Sequence, residues 1–212
     1  LLVADKPRGI VAEEIAALFR EEGKEIIPVH RLDRNTRGIL LFAKNAAAEK
    51  ALTDGFRARA FEKYYRARVY GVPAKRRACL TAYLVKDAAR GFVKIYDEKV
   101  PGGAEIRTEY ELERDNGDGT STLLVRLHTG KTHQIRAHLA YLGKPVLGDI
   151  KYGNRKMNER TGTKTQALCA VRISFLDVPE ENTLHYLSGK VIKLKDPQIL
   201  QQFDALDKSK EA

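Results

Sequence analysis

Two runs rich in strand-forming residues, 104–113 and 121–127, flank Asn116-Gly117-Asp118-Gly119. Asn-Gly and Asp-Gly steps supply the positive-φ residues that tight hairpin turns demand, so this stretch is committed to an antiparallel ribbon. The rest of the chain must provide partners for that ribbon. Residues 1–4 read as a short buried strand closed by the turn Lys6-Pro7-Arg8-Gly9, and 39–43 (Ile-Leu-Leu-Phe-Ala) as another buried strand. Further strands are expected over 61–69, 167–175 and 190–194, with 72–103 mixed and broken at Pro101-Gly102-Gly103. Helical spacing appears over 10–22 (Ile15, Leu18, Phe19, then Gly23 as a C-cap) and over 45–59 (Ala48, Leu52, Phe56). It returns over 132–142 (Ile135, Leu139, Leu142) and in a terminal helix from Pro197. Strands dominate and no regular βαβ rhythm emerges, which argues for an α+β fold with a mixed, mostly antiparallel sheet. No repeat, low-complexity segment or linker divides the chain, so a single domain spanning 1–212 is expected.

Charge narrows the partners. Lys+Arg number 38 against 28 Asp+Glu, a formal net charge of +10. A field of that sign attracts polyanions, either nucleic acid or an anionic membrane surface. The membrane reading needs a basic amphipathic helix with bulky apolar anchors. The chain has no such segment and no Trp. No apolar run approaches the roughly 20 residues of a spanning helix. RNA or another nucleic acid is therefore the expected partner, with no membrane. The start lacks a signal-peptide layout, because Lys6 and Arg8 follow the apolar residues instead of preceding them. Cys79 and Cys169 have no CxxC partner, which fits free thiols in a reducing cytoplasm.

The segment His30-Arg31-Leu32-Asp33-Arg34-Asn35-Thr36-Arg37-Gly38 sets one acid among cations just ahead of a buried strand. A carboxylate beside Arg31, Arg34 and Arg37 is expected to stay ionised at neutral pH. Ionised carboxylates serve as nucleophiles or stabilise oxocarbenium-like centres. Taken alone, though, an Arg-Leu-Asp-Arg stretch is usually a surface loop laced with ion pairs.

The surroundings change that balance. His30-Arg31-Leu32-Asp33-x-x-Thr36-x-Gly38 followed by an apolar strand resembles the central motif of the RluA-type pseudouridine synthases. Lys63-Tyr64-Tyr65-Arg66-Ala67-x-Val69-x-Gly71 is similar to that family's Lys-x-Tyr strand. Its third signature is matched by Thr129-Gly130-Lys131-Thr132-His133-Gln134-Ile135-Arg136-Ala137-His138, and then by Leu142-Gly143-x-Pro145-Val146-Leu147-Gly148-Asp149-x-x-Tyr152-Gly153. Asp5-Lys6-Pro7-x-Gly9 corresponds to the opening turn. Four motifs in order, through about Phe175, make chance agreement remote.

The resemblance implies a pseudouridine synthase fold with flanking helices and a central cleft, Asp33 at its floor. Asp33 corresponds to the aspartate that triggers breakage of the uridine C1′–N1 bond. Tyr65 matches a tyrosine that stacks on the uracil, Arg136 an arginine that ion-pairs with the aspartate, and Arg31 a residue that fills the stack vacated by a flipped base. Extruding a base costs a few kcal/mol, and an arginine plane replaces part of the lost stacking. Arg31, Arg34, Arg37 and Lys131 are expected to rim the cleft and, with His133 and Gln134, to make up the RNA-binding set. His133 and Gln134 are also placed to orient their loop. Isomerisation involves neither redox chemistry nor hydrolysis, so no cofactor is implied.

Duller readings stand beside these. Tyr64 and Tyr65 face opposite sides of a strand, so one of them is ordinary packing. His128, His133 and His138 do not share a helical face at i, i+4, and no Cys or acid lies among them; no metal site is expected. Lys131 stands where many relatives carry arginine, and Arg37 where serine is usual. The leading expectation is an isomerase acting on large-subunit ribosomal RNA, with transfer RNA second, working as a cytoplasmic monomer. A non-catalytic RNA-binding or ribosome-assembly protein on the same fold is the rival, and it would have no use for an acid facing phosphate. A glycosidase would need a second positioned acid, and none stands near the motifs. Many relatives carry a small S4-type RNA-binding domain ahead of the catalytic one, whereas this chain starts at the first catalytic motif.

Overall fold

The computed structural model of the chain describes residues 1–163 and 165–195, and the helix expected from Pro197 lies outside them. The order of elements is β1 (Leu2–Lys6), α1 (Ala12–Glu21), β2 (Ile27–Pro28), β3 (Arg37–Ala43), α2 (Ala46–Arg57), β4 (Phe61–Tyr70), β5 (Arg77–Asp87) and β6 (Phe92–Tyr96). There follow β7 (Ala104–Asp115), β8 (Thr120–Leu127), α3 (Gln134–Tyr141), α4 (Arg155–Arg160), β9 (Leu168–Phe175), a 3-10 turn at His185–Leu187, and β10 (Val191–Lys193). Two compact units emerge: Leu1–Tyr64 with Cys169–Leu194, and Tyr65–Leu168 together with Lys195. The divisions fall inside β4 and at the first residue of β9, so no change of composition announces them in the sequence.

In the first unit the strand order is β1-β3-β9, with β2 also pairing β3 and β10 pairing β9. β1 runs antiparallel to β3 from Leu2↔Phe42 to Lys6↔Gly38, while β3 and β9 are parallel at Arg37↔Cys169 and Gly38↔Ala170. Every residue from Ile39 to Ala43 is at most 2% exposed, which explains why this strand is an unbroken apolar run and not an alternating one. Its odd-numbered face joins Ala48, Ala51 and Leu52 of α2 with Phe61, Ile173 and Phe175 in one core cluster. Asn45 caps α2 by accepting from the Ala48 amide at 2.9 Å. Gly38 is required where β3 meets β9: it has φ +119, and a Cβ there would stand 2.2 Å from the Ala170 carbonyl oxygen.

In the second unit the strand order is β4-β8-β7-β5-β6. The hairpin expected at Asn116–Gly119 is present, with β7 and β8 paired from Thr108↔Leu127 to Asp115↔Ser121 around a bulge between Leu112 and Arg114. Arg68, 0% exposed, holds the hairpin tip by donating to Asp118 Oδ2 at 2.6 Å and Thr120 Oγ1 at 2.9 Å. Helix α3 lays Ala137 against Ala82, Leu84, Val93 and Ile106. It starts at Gln134, two residues later than the expected 132, because His133 adopts φ 54 and turns the chain through the left-handed region first. Helix α4 was not expected: six largely polar residues carry no periodic stripe, and only Asn154, which accepts from the Met157 amide at 3.2 Å, marks its start.

Candidate active site

Asp33 sits half-buried in the loop between β2 and β3. Its backbone carbonyl accepts from the Thr36 amide at 2.9 Å, closing a turn whose far side, Thr36, is 2% exposed. The loop is anchored from the opening turn. Lys6 is 0% exposed, and its ammonium donates to the carbonyls of Pro7 (2.9 Å), Ile10 (2.7 Å) and Arg34 (3.0 Å). One buried cation thus ties the Lys6-Pro7-Arg8-Gly9 turn to the residue after Asp33. Burial pushes the Lys6 ammonium down to about 8, against a smaller opposing pull from the negative charge of Asp33. The Gly9 amide adds a bond to the Arg34 carbonyl at 2.9 Å.

The arginines of the motif have partners of their own. Arg34 donates to Glu14 at 3.0 and 3.2 Å and to the Gly9 carbonyl at 2.8 Å. Arg37 donates to Asp5 across β1 and β3, its shortest contact 2.8 Å. Arg31 is exposed. His30 reaches back into β3, where its Nε2 accepts from the Leu41 amide at 2.9 Å, and its ring lies 4.9 Å from that of Phe56. Burial, reinforced by the nearby Lys63, drives the His30 imidazole down to about 3, so it is a neutral acceptor that fixes the start of the loop.

Of the adjacent tyrosines, Tyr65 is 6% exposed. Tyr64 is occupied within the first unit: its ring lies 3.5 Å below the Arg172 guanidinium, and its hydroxyl donates to Glu62 at 2.7 Å. That is the packing role expected for one of the pair.

In the second unit the third signature forms one bonded network. Arg136, 7% exposed, donates through Nε to Asp149 Oδ2 at 2.6 Å and through Nη2 to Oδ1 at 3.0 Å. Burial pushes the Asp149 carboxyl up, yet the Arg136 guanidinium and the Lys151 and Tyr152 amides outweigh it and hold the carboxyl below the usual carboxylate range. The Arg136 guanidinium also lies 5.3 Å from the Tyr152 ring centroid. The Tyr152 hydroxyl accepts from the Val93 amide at 2.9 Å and bonds His133 Nδ1 at 2.8 Å. Gln134, 2% exposed, accepts from Thr129 Oγ1 (2.9 Å) and the Lys131 amide (3.0 Å) and donates to Thr108 Oγ1 (3.0 Å) and the Arg107 carbonyl (3.2 Å). The structure therefore gives Gln134 the loop-orienting role, while Lys131 is exposed.

The three histidines of this stretch go to separate partners: His128 to Glu109 (3.0 Å), His133 to Tyr152 (2.8 Å) and His138 to Thr108 Oγ1 (3.0 Å). Among the described residues no group of three or more His, Cys, Asp or Glu side chains is arranged to hold a metal. Residue-by-residue reading gave no role to Lys6 or Asp149. Both lie inside quoted motifs, but a lysine or an aspartate in a turn carries no mark of burial until its partners are known.

A profile of the RNA pseudouridylate synthase family matches residues 1–141. An uncharacterized RNA pseudouridine synthase of Chloroflexus aurantiacus is 39% identical over 154 residues, which is 71% of this chain and 47% of that protein. The ribosomal large subunit pseudouridine synthase C of Vibrio cholerae is 29% identical over 222 residues, taking in 100% of this chain and 67% of that one. This chain thus spans about half of the first relative and two thirds of the second. Among solved structures, human RNA pseudouridylate synthase domain containing 1 shares the fold, with a TM-score of 0.75 at 23% identity over 98% of this chain and 91% of that chain. With its motifs in order and its fold shared, the chain belongs to the RNA pseudouridylate synthase family, in the RluA-type group.

Proposed function

We propose that the chain isomerises uridine to pseudouridine in structured RNA, with large-subunit ribosomal RNA the first substrate and transfer RNA the second. The observation that carries this is the anchored loop: a half-buried aspartate in the family's central motif, with the carbonyl of the next residue, Arg34, held by Lys6 and the start of the loop tied through His30 to the Leu41 amide. A carboxylate held by its backbone keeps its position when a bulky nucleotide arrives, which is what positioning catalysis requires. In this reading Asp33 triggers breakage of C1′–N1. The freed uracil rotates and C5 bonds to C1′, the C5 proton leaves, and N1 takes a proton. Substrate and product are isomers, so the reaction needs no oxidant, reductant or hydrolytic water. Tyr65 serves as platform for the uracil, and Arg136 as the cation of the third signature. The exposed Arg31 and Lys131 are read as contacts for the RNA, Arg31 filling the stack left by the extruded base.

Relatives named for the large ribosomal subunit support the first substrate, as does the net charge of +10. A monomer in the cytoplasm completes the reading; no helix among the described residues is long and apolar enough to cross a membrane. The test is release of tritium from RNA labelled at uridine C5. The wild-type chain is expected to release it, and Asp33→Asn to lose at least about 10³-fold in rate while still binding RNA. Equal release by both would remove Asp33 from its role. No release by either, on total cellular RNA, would favour the non-catalytic binder.

A further inference from the structure

The Gly148-Asp149-x-x-Tyr152-Gly153 segment has no part in the chemistry above, yet its geometry is directed at one residue. Asp149 is 1% exposed. Its Oδ2 is devoted to Arg136 Nε, at 2.6 Å. Its Oδ1 gathers Arg136 Nη2 (3.0 Å) and the amides of Lys151 (2.8 Å) and Tyr152 (3.1 Å). The turn that folds these amides back onto the carboxylate is tight: Gly148 has φ +70, and a Cβ there would lie 2.1 Å from the Thr165 carbonyl oxygen. Buried Asn158 locks it, accepting from the Gly148 amide at 2.9 Å and donating to the Asp149 carbonyl at 3.1 Å. The same turn delivers the Tyr152 ring to the Arg136 guanidinium, 5.3 Å from centroid to carbon, with its hydroxyl fastened to Val93 and His133.

We propose that Asp149 and Tyr152 are positioning residues for Arg136, fixing the plane and direction of its guanidinium before RNA binds. Two bonds to one carboxylate set the plane of the fork, and an aromatic ring limits its tilt. A lysine in place of Arg136 would keep the charge and lose that fixed fork. The inference rests on the reading that Arg136 takes part in the reaction, and the experiment separates the two.

Asp149→Asn is the discriminating change. The asparagine carbonyl oxygen can still serve Nη2 and both amides, so the turn survives, whereas its NH₂ replaces the acceptor that Nε requires. Tritium release at single turnover and its dependence on RNA concentration are to be measured for wild type, Asp149→Asn, Arg136→Lys and the double variant, with thermal midpoints alongside. Asp149→Asn is expected to lower the maximal rate by about 10²-fold with half-saturation changed less than about threefold. In the Arg136→Lys background the same change is expected to lower it by less than about threefold, because the fork it orients is gone. Equal losses in both backgrounds would overturn the proposal and leave Arg136 in its role. An undiminished rate for Arg136→Lys would instead remove Arg136, and the positioning idea with it. Should Asp149→Asn fail to fold, the cycle with Tyr152→Leu decides: about a tenfold loss, again absent beside Arg136→Lys, supports the inference, and an additive loss overturns it.

Discussion

The Asp33 loop and the start of α3 each present a charged side chain from a family motif, and each is steadied by a buried group of opposite sign. The way it is steadied differs. In the loop the buried group is the Lys6 cation, and it grips main-chain carbonyls at Pro7, Ile10 and Arg34. At α3 the buried group is the Asp149 anion, and it grips directly the side chain proposed to act in the reaction, Arg136. One site fixes a backbone and lets the backbone carry the carboxylate; the other fixes a guanidinium through its own donors. Damage to the two supports should accordingly be read out differently, as lost stability in the first region and as lost rate in the second.

The contrast can be broken most sharply at Lys6. Lys6→Met keeps the apolar stem but leaves the Pro7 and Ile10 carbonyls without this donor, while Arg34 retains the Gly9 amide. These carbonyls are only partly buried and water can replace part of the lost bonding, so urea denaturation should show about 1–3 kcal/mol of lost stability. A rate loss with unchanged stability would erase the difference between the regions.

Acid sharpens the comparison, since each region buries one neutral histidine. Burial lowers His138 on α3 to about 4, and burial together with Lys63 lowers His30 beside the loop to about 3. Both folded values lie below the unfolded value of about 6.5, so the unfolded chain binds the extra proton. The stability they contribute is therefore complete above that value and is lost as pH falls. The slope expected is about 1.4 kcal/mol per pH unit for each histidine, with His138 levelling off near pH 4 and His30 continuing towards pH 3. Denaturation midpoints from pH 7 to pH 3.5 for His30→Gln and His138→Gln check this. Each variant should have a flatter acid limb than wild type, and an unchanged limb in either would show that its imidazole is not buried neutral.

The smallest effect is expected at Arg37. Its fork lies on Asp5 at a partly exposed strand pair, with side chains 21% and 33% exposed. Arg37→Ser should change stability by less than about 1 kcal/mol, as partly exposed ion pairs do. A larger loss would mean that the loop is held by its surface arginines as well as by Lys6.

Much of this could be read in advance where a pattern reports on burial. The unbroken run at 39–43 announced β3, and the doubled Asn-Gly and Asp-Gly steps announced the β7–β8 turn. Helix α4 escaped because a short polar helix has no buried stripe to leave a period. The start of α3 was misplaced because a single left-handed residue, His133, interrupts the helix without altering its composition. The cations around Asp33 were legible as a group but not in their pairing. Arg34 turned to Glu14 and Arg37 to Asp5, since each long side chain takes the nearest acceptor, and nearness across β1 and β3 is not written in sequence spacing.

Order along the chain was enough to establish the α+β class, the strand periods, the hairpin and the family, because these depend on local propensity and on motifs read in succession. Which charges end up buried, and on what, belonged to the folded molecule. Lys6 finds carbonyls from two separated turns, and Arg136 finds a carboxylate thirteen residues away through a glycine-bounded turn. A buried ion is defined by the groups that replace its water, and folding alone gathers those groups around it.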